Sequence, residues 1–314
     1  FDAFPVTVIL VPAHNEEKVI SQTLIQLKGL ASKMSLLVVA DNCTDQTAQI
    51  ARDLGARVVE RTSATLRGKG YALQHGLDAL KDSAPEVVIV LDADCSTTTT
   101  DMQRLAWACI QRCAPVQGIY LMHAPSGAPM GSKVAEFAWL VKTMVRPLGW
   151  RAWGGASQLM GSGFALPWHI ASTLNLASGH IVEDMKLSVD LAARRQAPQF
   201  VTDSKVESTF PAVDAAQTTQ RRRWEHGHLS MVLTEVPRAI VNAIVSLNGQ
   251  LLSVALDLMV PPLSLLVLTL GCFASLAVFQ TIVWEASLPG LLLVGITGAL
   301  VAAVLLAWLT WGRG

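Results

Sequence analysis

Val87-Val88-Ile89-Val90-Leu91-Asp92-Ala93-Asp94 is the stretch on which the fold turns. Five apolar residues in a row, four of them β-branched, read as a short strand covered on both faces, as in parallel sheets flanked by helices. Two carboxylates at the end of such a strand point to the crevice where open α/β sheets bind ligands. Hard divalent cations held by one or two carboxylates take their remaining oxygens from phosphates and water. The pair therefore suggests a metal–nucleotide site, although Asp-x-Asp alone is also ordinary turn chemistry.

Outward from this strand the chain alternates between the two periodicities. Upstream, residues 6–11 read as a first strand, with the turn Pro12-Ala13-His14-Asn15-Glu16-Glu17 behind it and helical spacing over 18–30. Leu36 to Ala40 form a second strand, ended by Asp41-Asn42-Cys43-Thr44-Asp45, with a helix over 46–54 and a third strand over Arg57–Glu60. Gly68-Lys69-Gly70 opens a helix over about 71–81. Strands and helices alternating at this spacing predict a doubly wound, mostly parallel α/β sheet. From 100 to 230 the pattern is less regular. Residues 131–149 are helical, with Lys133, Lys142 and Arg146 among Trp, Met and Val, and suit a core-facing helix and a membrane-interface helix equally.

The C-terminal end differs in kind. Residues 260–284 carry no charge, and after Glu285 neither do 286–312. Each run exceeds the roughly 20 apolar residues that cross a bilayer, and two in succession predict a transmembrane hairpin. They account for a mean hydropathy of +0.41 and a 51% hydrophobic composition. The preceding 229–250 reads as an interfacial amphipathic helix, which divides the chain into 1–228, 229–250 and 251–314. Net charge is zero, with 24 basic and 24 acidic residues, so nothing suggests nucleic acid as a partner. The five cysteines lack zinc spacing and read as reduced thiols. The chain opens at Phe1 without a methionine; it is read as lacking its native start, and no signal peptide is judged from it.

Several further segments join the Asp pair. Asp41 falls on the same sheet edge as Asp92. Lys69 lies in a glycine-flanked turn before a helix, a place suited to phosphate. Glu183-Asp184 follows Ser178-Gly179-His180, and Gln220-Arg221-Arg222-Arg223-Trp224 sets cations beside an indole. Singly, each has a plain reading as a turn former, a solvated charge, a helix-start acid pair or a membrane anchor. In this order, with Val11–Glu16 and Gly161-Ser162-Gly163, they resemble the family 2 glycosyltransferases of GT-A fold, nearest the membrane-embedded, cellulose-synthase-like branch. The resemblance covers about residues 6–230.

The resemblance implies roles for matching positions. Asp41 contacts uracil, with Pro12 and Glu16 beside it, while Lys69 and Asp92 serve the donor. Asp94 ligates Mg²⁺ or Mn²⁺ at the diphosphate, and Asp184 is the general base. Arg223 faces the diphosphate, and Trp224 stacks on the acceptor, with Gln220, Glu183 and Ser162 lining the acceptor side. A metal and a guanidinium offset charge gathering on the leaving diphosphate, and a positioned carboxylate activates a sugar hydroxyl. One base with no protein nucleophile implies inversion. The acceptor turn Leu159-Met160-Gly161-Ser162-Gly163 lacks the aromatic and cysteine residues of cellulose synthases, which puts a cellulose-type acceptor in doubt. His226 and His228, two apart on a helix, point to different faces and are read as ordinary histidines, not metal ligands. The expectation is a metal-dependent nucleotide-sugar enzyme of the inner membrane, its catalytic domain cytosolic, serving a lipid-linked or glycan acceptor in contact with membrane lipids. The alternatives are a processive polysaccharide synthase and a non-catalytic membrane scaffold, the latter separable by donor hydrolysis.

Overall fold

The computed structural model describes residues 4–30, 32–177, 182–211, 214–283 and 288–312 of the chain; the side chains of 214–221, 281–283 and 289 fall outside that description. The first half alternates as expected: β1 (Thr7–Ala13), α1 (Ile20–Gln26), β2 (Met34–Asp41), α2 (Thr47–Asp53), β3 (Arg57–Arg61), α3 (Lys69–Ala79) and β4 (Val87–Val90). After the Asp pair come β5 (Ser96–Thr97), α4 (Thr99–Arg112) and β6 (Val116–His123). Next is a long helix in three parts: α5 (Met130–Leu140), a π-helical turn (Val141–Val145) and α6 (Arg146–Ala152). β7 (Phe164–Pro167), α7 (Trp168–Ala171), α8 (Glu183–Ala193) and β8 (Gln199–Thr209) complete the sheet domain. Five helices follow: α9 (Asp214–Thr234), α10 (Val236–Val245), α11 (Gly249–Met259), α12 (Leu263–Val283) and α13 (Leu288–Trp311).

The eight strands form one sheet in the order β3-β2-β1-β4-β7-β6-β8-β5. The β3-β2-β1-β4 half is wholly parallel, and β7 enters antiparallel to both β4 and β6. The apolar strands serve two cores because successive side chains face opposite ways. Ile9, Val11, Val38, Ile89 and Leu91 pack on the side of α1 and α4, and Val8, Leu10, Val39, Val88 and Val90 on the side of α3 and α8. β1 runs past the expected end at Val11, through Pro12 to Ala13. Proline is tolerated there because β4 pairs only with Thr7–Leu10, leaving Pro12 bonded along β2 alone.

The second half departs from the expectation in one place. Residues 229–250 are not a single helix; they cover the end of α9, all of α10 and the start of α11. Pro237 near the start of α10 and Leu247 in the left-handed region (φ 48°) break the run, and Asn248 caps α11 by accepting from Leu251 N. α11 is packed inward, with Leu251, Val254, Ala255 and Leu258 joining Met185, Val189 and Ala192 of α8 in a third core. The 131–149 segment also faces inward: Ala135 and Trp139 pack on the sheet core, although Met130 and Val134 are exposed. α12 and α13 match the expected hairpin. Each contains a window long and apolar enough to cross a membrane, and those windows are only 6% and 11% buried.

Candidate active site

The Asp92-Ala93-Asp94 loop is held from four sides. α1 contributes Thr23, whose Oγ1 donates to the carbonyls of Ala93 (2.7 Å) and Cys95 (2.9 Å). The 161–163 turn contributes Ser162, whose Oγ accepts from Asp92 N at 3.0 Å. Lys69, the first residue of α3, pairs with Asp92 Oδ1 and donates to Gly161 O at 2.8 Å. β8 contributes Ser208, which donates to Asp94 Oδ2 at 3.2 Å. The turn itself needs its glycines: Gly161 and Gly163 have φ of 84° and 67°, and a Cβ on Gly163 would sit 2.8 Å from Val206 Cγ2. Buried Gln117 pins the turn, accepting from Met160 N and donating to Ser162 O.

These contacts revise two roles. Ser162 has no exposed surface, and its observed partners are Asp92 N and Cys95 Sγ. It supports the Asp92 loop from within the fold. Lys69 does not stand free for a phosphate; it is paired with Asp92. Burial works against its charge, but Asp92 and then Glu183 hold the ammonium above the usual lysine range. Asp41 is likewise occupied: Arg61 donates to Oδ1 at 2.5 Å and Asn42 at 3.0 Å, with Arg61 stacked over Tyr71.

The acids around the loop repel one another. Burial, then the Asp94 and Asp92 charges, push Glu16 up to about 7. Burial and Asp92 also raise Asp94 above the ordinary carboxylate range. Ligand atoms of Asp92, Asp94 and Cys95 lie within 4.8 Å of one another. Carboxylates forced together in this way fit a hard divalent cation, which would relieve the repulsion. The Cys95 thiol is buried and pushed well above its normal range, so the oxygens are the fitting donors.

Glu183 and Asp184 open α8 on the far side of Gly161. A Cβ on Gly161 would lie 3.5 Å from Asp184 Oδ2 and 3.9 Å from Lys69 Nζ, so both groups border one glycine. Burial raises Glu183 to about 7, with Lys69 pulling it down and Asp184 pushing it up. Burial raises Asp184 as well, opposed by Lys142 and then Lys69. Asp184 Oδ1 accepts from Met185 N at 2.9 Å. A cavity of about 430 Å³ opens here, bordered by Lys69, Gly161, Glu183 and Asp184 and floored by Leu73, Phe164, Leu174 and Leu187.

Trp224 of α9 is half-buried and packs against Trp139 of α5, ring centroids 5.2 Å apart. Trp139 in turn donates to Tyr120 O at 3.1 Å. Arg223 is exposed and makes no ion pair with Asp92 or Asp94 among the described residues. Pro12 lies within β1 near its end, and Glu16 three residues beyond the strand. The Gln220 side chain and Ser178-Gly179-His180 lie outside the described residues. His226 is exposed, while His228 is buried and bonded to Leu258 O at 2.8 Å; burial and then Lys142 lower it to about 4, leaving it neutral.

A buried ionic knot, unread in the sequence, ties this side together. Asp257 of α11, 1% exposed, accepts from Arg146 Nε (3.0 Å) and Trp150 Nε1 (3.0 Å) at Oδ1, and from Gln158 at Oδ2. The knot joins α6 to the helix that leads into the apolar hairpin. Its only sequence signal was one acid, Asp257, in a helix otherwise without charge.

The family model described as glycosyl transferase family 2 matches residues 8–119, and the one described as glycosyl transferase family group 2 matches 87–312. Among curated proteins, 4,4'-diaponeurosporenoate glycosyltransferase of Staphylococcus haemolyticus is 33% identical over 90 residues, which is 27% of this chain and 23% of that protein. The low-salt glycan biosynthesis hexosyltransferase Agl6 of Haloferax volcanii is 30% identical over 107 residues, 33% of this chain and 24% of that protein. The chain thus spans about a quarter of the length of these two relatives. Among solved structures, the mannosyltransferase PcManGT of Pyrobaculum calidifontis, in complex with GDP-Man and Mn²⁺, has a TM-score of 0.60 at 16% identity, covering 99% of this chain and 89% of that one. Glucosyl-3-phosphoglycerate synthase of Mycobacterium tuberculosis, with Mn²⁺, UDP and glucosyl-3-phosphoglycerate, has a TM-score of 0.50 at 22% identity, covering 71% and 80%. At such identities the likeness is one of fold. The match from 87 to 312 takes in the Asp pair, the acid pair, Trp224 and both apolar helices, and on it the chain belongs to glycosyl transferase family group 2.

Proposed function

We propose that the protein transfers a sugar from a nucleotide donor, a UDP-sugar, to an acceptor hydroxyl at a membrane, with inversion at the anomeric carbon. One observation carries this reading: Asp92, Lys69, Glu183 and Asp184 meet at the Gly161 turn, beside a cavity large enough for a sugar. The neighbouring solved structures hold nucleotides with Mn²⁺, and family membership adds weight to the same reading. Asp94, with Asp92 beside it, would hold Mg²⁺ or Mn²⁺, and the bound metal supplies positive charge to the leaving diphosphate. Lys69 fixes the orientation of Asp92 through its ion pair. Asp184 takes the proton from the acceptor hydroxyl as the hydroxyl attacks. Burial raises its proton affinity, which favours uptake of the acceptor's proton. Trp224, stacked on Trp139, offers an aromatic wall to the acceptor.

The acceptor is lipid-linked or part of a glycan, and it reaches Asp184 from the membrane side. α12 and α13 anchor the protein in the inner membrane with the sheet domain in the cytosol, where nucleotide sugars are made. The exposed apolar side chains of Leu233, Val241, Ile244, Val245 and Leu247 seat α9 and α10 at the lipid interface. The test is transfer by the purified full chain in detergent, with a panel of UDP-sugars, Mn²⁺ and bacterial lipid extract, read by mass and by proton NMR of the new anomeric centre. Inverted products bearing one added sugar support the proposal. Absence of any donor turnover, or retained configuration, contradicts it.

A further inference from the structure

Lys142, half-buried and acting on Asp184, makes no ion pair among the described residues. It sits on the π-helical turn Val141–Val145, where the helix carrying Trp139 widens for a single turn. Such turns are rare and recur at functional sites, because the extra residue pushes side chains out of helical register. Trp139 lies just before the turn, and Thr143, within it, donates back to Trp139 O at 3.0 Å. The Lys142 ammonium lies 5.3 Å from the Trp139 ring centre, and the other face of the aromatic pair is Trp224.

Four other cations of this region are paired. Lys69 holds Asp92, Arg61 holds Asp41, and Arg146 holds Asp257. Lys186 is shared between Asp190 and Glu235. Among the described residues Lys142 has only its ring contact. Of the acids, Asp184 acts on it most strongly, but the two form no ion pair. Burial pushes the ammonium below the usual lysine range; Asp184 opposes this and Arg146 adds to it. A half-buried cation without a counter-charge is open to a ligand that supplies one. The position next to the base and beside an aromatic wall marks where that ligand lies.

We propose that Lys142 is the anion-recognising residue of the acceptor site: it binds a phosphate or carboxylate that the acceptor carries close to the hydroxyl facing Asp184. The inference rests on the glycosyltransferase reading given above and narrows its acceptor to an anionic alcohol. The ring of such an acceptor lies along Trp139 and Trp224, its charge on Lys142 and its hydroxyl on Asp184.

The test uses the full chain in detergent with UDP and Mg²⁺ at saturation, so that the donor site is filled. Inorganic phosphate and acetate are titrated separately by calorimetry against wild type, Lys142→Met and Lys142→Arg. Met keeps the length and apolar bulk of the side chain, and Arg keeps the charge. The expected result is a saturable site for one of the two anions, which identifies the group, weakened at least tenfold by Lys142→Met and retained in Lys142→Arg. UDP binding measured on the same samples reports folding and the donor site. Loss of UDP binding by wild type would strike at the glycosyltransferase reading. UDP binding with neither anion bound, or with anion binding equal in Lys142→Met, overturns the role of Lys142 and leaves that reading intact. A fall in transfer rate in Lys142→Met without any change in anion binding also overturns it, and assigns Lys142 to tuning Asp184.

Discussion

The two halves of the site are built on opposite electrostatic plans. On the side of β1–β4, two carboxylates are held in fixed pairs, Asp92 with Lys69 and Asp41 with Arg61; Asp94 and Glu16, in no ion pair among the described residues, crowd at the place suited to a metal. Across Gly161, Asp184 and Lys142 face each other without pairing, and burial shifts both towards their neutral forms. Paired charges hold a shape and give up little reactivity; unpaired, desolvated ones are primed to exchange protons or to take a charged ligand. On the proposed reading, the first half grips a donor and the second carries out chemistry on an acceptor.

The largest expected effect breaks the first half. Asp94→Ala removes one of the two carboxylates suited to the metal while leaving Thr23, Ser162 and Lys69 to hold the loop. Metal-dependent UDP binding and turnover should both vanish, with the thermal unfolding profile retained. Full activity in the presence of a chelator would show that the two halves do not divide as described.

The second effect probes the acid pair across Gly161. Glu183 stands at about 7 and Asp184 is also raised, so at low pH the pair holds a proton that the folded protein must release before Asp184 can act as base. Transfer should be constant above that range and fall about tenfold per pH unit well below about 7. A rate that stays flat down to pH 5 would place the base elsewhere. Asp257→Ala comes next. It leaves Arg146 buried without a counter-ion, a change that typically costs about 3–5 kcal/mol, and it loosens α6, which continues the helix carrying Trp139 and Lys142. A clear drop in melting temperature together with weaker acceptor use is expected. An unchanged melting temperature would mean the knot does not position this half.

The smallest effect returns to the first half. Glu16, raised from 4.5 to about 7 by burial and by Asp94 and Asp92, binds a proton more tightly folded than unfolded. Its carboxylate therefore costs stability as pH rises from about 4.5 through 7, with the full cost present above that range. Glu16 is only half-buried, so after solvent screening Glu16→Gln should stabilise the metal-free protein by about 1 kcal/mol at pH 8. It should make no difference at pH 4. Equal melting temperatures at both pH values would remove Glu16 from the crowded acid group.

The two halves also differed in how far the chain disclosed them. The donor half is local: each strand ends in its own functional residue, and the apolar runs at 36–40 and 87–91 place Asp41 and Asp92 on one edge without reference to anything distant. The acceptor half is assembled by long-range packing. Trp139 meets Trp224 from 85 positions away only because α5 and α9 cross, and Asp257 finds Arg146 across 111 residues. Nothing in the local spacing of 131–149 indicates which cation will be paired and which left alone. The same reason explains Ser162: its glycine-flanked turn was recognisable, but its inward direction depends on Asp92 N, Cys95 and Gln117, which arrive from other strands. The apolar hairpin was plain from composition. The breaks at Pro237 and Leu247 within 229–250 were missed because hydrophobic spacing continued across them.

The division between gripping and chemistry is tested most directly by Asp184→Asn, which keeps the shape of the side chain and removes its ability to take a proton. UDP affinity in the presence of Mn²⁺ and single-turnover transfer would be measured on the same preparation. The account predicts UDP affinity within about twofold of wild type and transfer lower by about 10²–10⁴-fold. Weakened UDP binding with transfer largely preserved would contradict it, placing Asp184 in the donor half and leaving the proton acceptor elsewhere.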